Sequence, residues 1–210
     1  VPGAGRADRR RHTRRLEILS AAARSFRSRG FAATGMREIA AAADLSPANL
    51  YHYFRGKQEL LYFCQETSLE RMLAAVRAAR RARTPAAERL RAVIRAHVDC
   101  VLGEMEGAAA HLEVDDLPAP LKRRILVKRD LYERDIRRIV AAGITSGEFV
   151  DCDAKLTTQA ILGALNWSVR WFRPDGERSP SDVGTAFAAY LVRGLIAAPS
   201  ASRSNGRKRA

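Results

Sequence analysis

Apolar residues recur every three or four positions through most of the chain, and strict alternation is scarce, so the pattern predicts an all-helical (all-α) fold. The stretch from Val1 to Asp8 holds Pro2, Gly3 and Gly5 with no apolar period and reads as a disordered arm. A first helix of about 18 residues follows, with Leu16, Ile18, Leu19, Ala22, Ala23 and Phe26 on one broad side. Gly30 suits the position just past its end. The next pieces are short. Met36 to Ala43 reads as a helix with Glu38 three residues after Gly35, the place where a capping box puts its carboxylate. Ser46 and Pro47 start a third helix, because a serine hydroxyl caps free amides and proline is pre-set at the first helical position. It ends near Phe54, and a fourth helix runs from Lys57 to about Arg83.

Beyond Pro85, helices are expected over Ala86–Leu102, Ala119–Ala142, Asp153–Phe172 and Ser181–Ala197, with a less regular piece around Met105–Asp116, for about nine in all. The Ser, Arg and Gly content after Pro199 signals disorder. The organisation read from these breaks is an arm (1–8), a three-helix unit (9–56), a larger helical unit (57–198) and a basic tail (199–210). At 210 residues the chain is long enough to bury a core without staples. No stretch approaches the ~20 apolar residues of a membrane span. Three widely spaced cysteines, Cys64, Cys100 and Cys152, argue against a disulfide framework and for a reducing cytoplasm.

Charge sharpens this picture at one end. The formal net charge is +14, and residues 1–60 hold 12 Lys/Arg against 5 Asp/Glu, while the tail from Arg203 adds four basic residues and no acid. The 142 residues between, 61–202, are nearly balanced, with 21 basic and 18 acidic groups. A polyanion-facing surface is therefore expected at the front, with a contribution from the tail.

Two short helices joined by a tight turn and braced by a longer one have the lengths of a helix-turn-helix, whose second helix enters the major groove of DNA. Leu50 and Phe54, four apart, are expected to brace that helix, leaving Pro47, Ala48, Asn49, Tyr51, His52 and Tyr53 on its other faces. Asparagine pairs bidentately with adenine and histidine donates to guanine or phosphate. Tyrosine hydroxyls and the Lys57 ammonium suit phosphate.

The run "GFAATGMREIAAAADLSPANLYHYFRGKQELL", Gly30 to Leu61, closely resembles the DNA-binding motif of the tetracycline-repressor family of bacterial transcriptional regulators. The resemblance implies a homodimer with an N-terminal DNA-binding domain and a C-terminal domain that binds a small-molecule inducer and dimerises. Carried over by position, Pro47, Ala48, Asn49 and His52 are the candidate base-facing residues, and Thr34, Tyr51, Tyr53 and Lys57 the candidate phosphate contacts. Gly35 departs from the Thr or Ser common in the family at the start of the second helix, which leaves its backbone amide as the remaining phosphate donor. The double-stranded DNA partner implied is a near-palindromic operator.

In the second unit, Trp167 and Trp171 lie four apart on one helix with Arg170 between them. They read as core or interface anchors, or as the lining of an apolar pocket in which Arg170 orients a polar part of the ligand. The segment "W…RW.RP.G" is also similar to a subgroup that regulates fatty-acid, steroid or other acyl-CoA catabolism, which implies an acyl-CoA or hydrophobic acid as inducer. Val183, Phe187, Tyr190, Leu191, Gly194 and Leu195, with Gly163 and Ala164, suit a close helix contact across a two-fold axis. His97 and Cys100 stand at ligand spacing, but a metal site needs further ligands and only His111 is near in sequence, so packing or pocket lining is expected and no metal or cofactor is assigned. Asp115 and Asp116 read as a solvated turn, and no nucleophile elbow, phosphate loop or zinc-protease helix occurs, so no catalytic residue is assigned. The competing function is a nonspecific, architectural DNA-binding protein, which the basic ends favour and the tryptophan-bearing second unit does not.

Overall fold

The computed structural model describes residues 4–103 and 114–198. Among them lie eight α-helices: α1 (Ala4–Arg29), α2 (Met36–Ala42), α3 (Pro47–Tyr53), α4 (Lys57–Arg81), α5 (Ala86–Leu102), α6 (Ala119–Thr145), α7 (Ala154–Trp171) and α8 (Pro180–Arg193), with a 3-10 turn at Val114–Asp116 before α6. The tail from residue 199, His111 and most of the less regular piece expected at 105–116 lie outside the described residues. The expected arm does not hold as an irregular segment: from Ala4 onward it is the first turns of α1. A single glycine costs a helix only about 1 kcal/mol relative to alanine, and Arg and Ala around Gly5 are good helix formers.

The α1–α3 unit is closed by its own apolar side chains. Ile18, Leu19, Ala22 and Phe26 of α1, Ile39 and Ala40 of α2, and Leu50 of α3 are fully buried together with Phe54. The connection between α2 and α3 is a helix stop made by backbone bonds: Leu45 N–H donates to the Ala40 carbonyl (2.8 Å) and Asp44 N–H to that of Ala41 (3.2 Å). This pairing requires a left-handed residue, and Asp44 supplies it at φ +53. Aspartate tolerates that region better than most residues, which explains a tight turn without glycine. Gly30 takes the same role after α1 at φ +79.

From Lys57 the chain runs into α4, whose buried residues stretch from Leu60 to Val76 and join one continuous core with the rest of the molecule. α4 packs against α5 and α6, α5 packs against α8, and α7 lies against α6 and α5. Two ion-paired clamps bind α4 to α6: Lys128 bridges Glu66 (2.7 Å) and Glu70 (2.8 Å), and Arg80 meets the mostly buried Asp135 at 2.7 Å. The start of α5 has no side-chain cap of its own, since Pro85 precedes it. Glu148, more than 60 residues on, accepts from the amides of Ala86 (2.6 Å) and Ala87 (2.8 Å) and caps it from a distance. The same segment is pinned by a two-residue antiparallel bridge between Phe149 and Ile196. Phe149 presses against Gly143 so closely that a Cβ there would lie 2.2 Å from its ring, so α6 has a glycine because no side chain fits.

Candidate nucleic-acid interface and ligand cavity

α3 is positioned by its ends. The Ser46 hydroxyl accepts from Asn49 N–H (3.2 Å), Pro47 occupies the first turn, and Leu50 and Phe54 are sunk into the core as expected. Phe54 is held from both sides. Its ring lies 5.4 Å from that of Phe63 on α4, and the Arg15 guanidinium sits 4.6 Å from the Phe54 ring and 4.2 Å from the Phe63 ring. With that face fixed, Pro47, Ala48, Asn49, Tyr51 and His52 are all exposed, in one patch from the beginning of the helix to its last turn. Tyr53 is half-buried and packs on the core, so only part of it faces outward.

Two of the expected phosphate contacts have partners within the chain. Thr34 is 1% exposed, and its hydroxyl lies 2.8 Å from the Gly30 carbonyl and 3.2 Å from that of Ser25. It ties the end of α1 to the loop and presents nothing outward. The Gly35 amide donates to the Glu38 carboxylate, half of a capping box whose other half is lost because glycine has no side chain. That amide is therefore already used. Lys57 is divided: its ammonium donates to the Ala32 carbonyl (3.2 Å) and lies 4.1 Å from the Phe31 ring, with further N–H donors on the same nitrogen. Arg37, exposed and adjoining the groove beside Tyr51, and Arg14, which donates to the Ala43 carbonyl of the turn, are cations at this surface that helix periodicity alone did not single out.

In the larger unit a cavity of about 310 Å³ opens between α4, α5, α6 and α7, lined among others by Leu69, Met72, His97, Arg129, Tyr132 and Asn166. Its polar atoms are unusual for so apolar a core. His97 is 3% exposed; its Nδ1 pairs with the Tyr132 hydroxyl (3.2 Å), while Nε2 has no hydrogen-bond partner among the described residues. Gln65 and Ser68, one turn earlier on α4, are also fully buried with unmatched polar atoms. The Arg129 guanidinium, which lines the cavity, donates to the Gln65 side-chain oxygen at 3.5 Å, and of the three unmatched groups only His97 itself lines the cavity. Burial, opposed in part by Asn166, pushes His97 down to about 4, and burial raises the Tyr132 phenol well above its usual range.

His97 carries a pH prediction. Its folded value lies below the ordinary 6.5, so the unfolded chain binds the extra proton: the stability is fully present above about pH 6.5 and is lost as pH falls towards 4. Between pH 7 and 4.5, urea unfolding of the native protein is expected to lose about 2 to 3 kcal/mol more than that of His97→Gln. Parallel losses in the two proteins would contradict it.

Trp167, Arg170 and Trp171 do not line this cavity. They are exposed on the outer side of α7, with Trp167 at 64%, and Trp171 meets the Phe187 ring of α8 at 6.0 Å. Leu156 (64% exposed) and Tyr190 (73%) extend the same apolar face, and Gly163 leaves an opening with no atom within 4 Å of where a Cβ would be. Of the residues expected to bind ligand, the structure thus brings together a surface and not a pocket; His97, expected as packing or lining, is the one that faces the cavity.

Residues 18–62 match the bacterial regulatory proteins of the tetR family, and residues 83–195 match the tetracyclin repressor-like C-terminal domain. The chain belongs to the tetracycline-repressor family. A curated relative, the HTH-type transcriptional repressor KstR2 of Mycobacterium tuberculosis (strain ATCC 25618 / H37Rv), is 28% identical over 189 residues, which is 88% of this chain and 94% of that protein. Among solved structures, the TetR family regulator PfmR from Thermus thermophilus is 32% identical with a TM-score of 0.77, covering 84% of this chain and 97% of the other. AibR in complex with isovaleryl coenzyme A and operator DNA is 26% identical with a TM-score of 0.71, covering 87% and 98%. The protein is a DNA-binding transcriptional regulator with the all-helical fold of this family. No helix among the described residues is long and apolar enough to cross a membrane.

Proposed function

We propose that this regulator is a cytoplasmic homodimeric repressor that an acyl thioester or hydrophobic acid releases from a near-palindromic operator. The observation that carries the coupling is the span of α4. Its first residue, Lys57, braces the loop before α2, and its Leu69 and Met72 form a wall of the cavity, so one helix of the ligand-binding and dimerisation unit (57–198) runs from a contact with the DNA-reading unit (9–56) to the cavity. Asn49 and His52 read base edges, with Pro47 and Ala48 shaping the approach; Tyr51, the outer edge of Tyr53 and the free donors of Lys57 hold phosphates.

The two recognition helices of the dimer occupy successive major grooves ~34 to 36 Å apart. Ligand favours a geometry whose spacing no longer fits, which requires it to bind the two geometries with affinities differing by about 1 to 3 kcal/mol or more. The cavity accommodates a short acyl or ring system, with His97 and Arg129 meeting its polar atoms. The bulkier remainder of a thioester stays outside, where Arg170 lies one turn beyond Asn166 on α7. The names of the relatives, one with an acyl-CoA ligand, support this class.

The test is fluorescence anisotropy on the protein's own upstream DNA against a scrambled competitor, with a panel of CoA thioesters and free acids. Preference for the upstream DNA, reversed by at least one thioester or acid, is expected. Equal affinity for both duplexes would favour the architectural reading, and a panel that neither releases DNA nor shifts the melting temperature would remove the ligand class.

A further inference from the structure

α1 continues far beyond the part of it that the fold buries. Ile18 is the first fully buried residue of the helix, whereas Gly5, Ala7 and every residue from Asp8 to Thr13 are exposed. At ~1.5 Å per residue, the ten residues from Ala4 to Thr13 make about 15 Å of helix ahead of Leu16, the first side chain packed on the core. Intrinsic electrostatics oppose it. Between Ala4 and Arg15 there are six arginines and one aspartate, several of them four apart, and no acidic residue stands in the first turn. Like charges at that spacing repel, and cations at a helix N-terminus oppose its dipole. Such a helix is matched to an external polyanion.

Its place in the fold says which surface it serves. The Arg14 guanidinium donates to the Ala43 carbonyl in the turn before α3 (3.4 Å), and that of Arg11 to the His52 carbonyl at the end of α3 (3.4 Å). A groove lined by Ala7, Arg10, Arg11, His52 and Tyr53 separates the arm from the recognition helix. The arm thus passes across the C-terminal end of α3, on the side of the molecule that carries the base-facing residues. Arg14 is also paired with Glu17, and Arg11 is spent on His52. Arg9 and Arg10 are exposed, with no ion-pair or side-chain hydrogen-bond partner among the described residues.

We propose that this helical arm is a second DNA-binding element, in which Arg9 and Arg10 hold phosphates of the backbone bordering the groove that α3 enters. It contributes affinity and register, not sequence reading, because it meets phosphate and no base edge. The proposal rests on the DNA-binding reading above, but its readout is separate from that reading.

The experiment measures binding of the full chain to its operator and to a random duplex, by anisotropy, across a series of KCl concentrations. Each phosphate contact contributes ~0.9 to the slope of log K against log salt. Arg9→Ala/Arg10→Ala removes two contacts per subunit, so the slope is expected to become shallower by about 3 to 4 for a dimer, on both duplexes, with the operator-to-random ratio kept within about threefold. Arg9→Lys/Arg10→Lys, which keeps both charges, is expected to stay within about one of the native slope. A slope for the alanine pair within about one of native on both duplexes would overturn the proposal, as would an equal loss in the lysine pair. A native protein with no operator preference would instead remove the sequence-reading function, while the arm remains readable on the random duplex.

Discussion

Tyr190→Glu is expected to convert the protein to a monomer and to lower operator affinity by a hundredfold or more. Tyr190 is 73% exposed in the subunit, so the change removes nothing from the core of one chain. It lies on α8 beside the exposed Leu156, Trp167 and Trp171 side chains of α7, in the face proposed to meet its own copy across a two-fold axis. In a two-fold interface each substitution acts twice, and a buried carboxylate without a partner is strongly unfavourable. Joining two recognition helices in one dimer makes the second half-site contact intramolecular, an advantage of about 10² to 10⁴ in affinity. Sedimentation and operator anisotropy on the same sample check this: a dimer of native affinity would contradict the assignment of that face, while a folded monomer with weak binding is the expected result.

Phe54→Ala should have the largest effect on stability within the DNA-reading unit, about 3 to 5 kcal/mol. Phe54 is fully buried between α1, α3 and α4, so truncation leaves a cavity where Phe63 and the Arg15 guanidinium now meet its ring. Arg15 is affected in turn, because its Nε is buried without a hydrogen-bond partner and its guanidinium rests on those rings. Urea unfolding is expected to show the loss, accompanied by failure to bind any duplex at temperatures where the native protein binds. A loss below about 1 kcal/mol would mean that α3 does not depend on this anchor.

The recognition helix was legible in the sequence because its signals are local. Ser46 and Pro47 mark its start, Leu50 and Phe54 mark its buried face, and the exposed residues follow by subtraction. The boundaries of α5 were readable for the same reason. Three features were not. Pro2, Gly3 and Gly5 suggested an irregular arm, yet one glycine among good helix formers is too weak a break to stop α1. Thr34 stands where a residue before a helix often points outward, but its hydroxyl is spent on carbonyls of the preceding turn, a choice made by the path of the loop. α7 carries apolar residues on more than one side, Ile161 and Leu165 inward and Leu156 and Trp167 outward, so periodicity could not say which side meets a cavity. The cavity itself draws on four helices, and His97 was visible in the sequence only as a residue three before Cys100, expected to pack or to line a pocket. Its unmatched Nε2 appears once the helices are brought together.

α3 is proposed to read an inverted repeat through Asn49 and His52. Selection of bound sequences from a random duplex library, with native protein and with His52→Ala, puts that to the test. The native protein is expected to enrich two inverted half-sites with centres ~10 base pairs or a whole number of turns apart, and the variant to keep the spacing while relaxing one or two positions in each half-site. Enrichment of no motif by the native protein, or an unchanged motif in the variant, would contradict it.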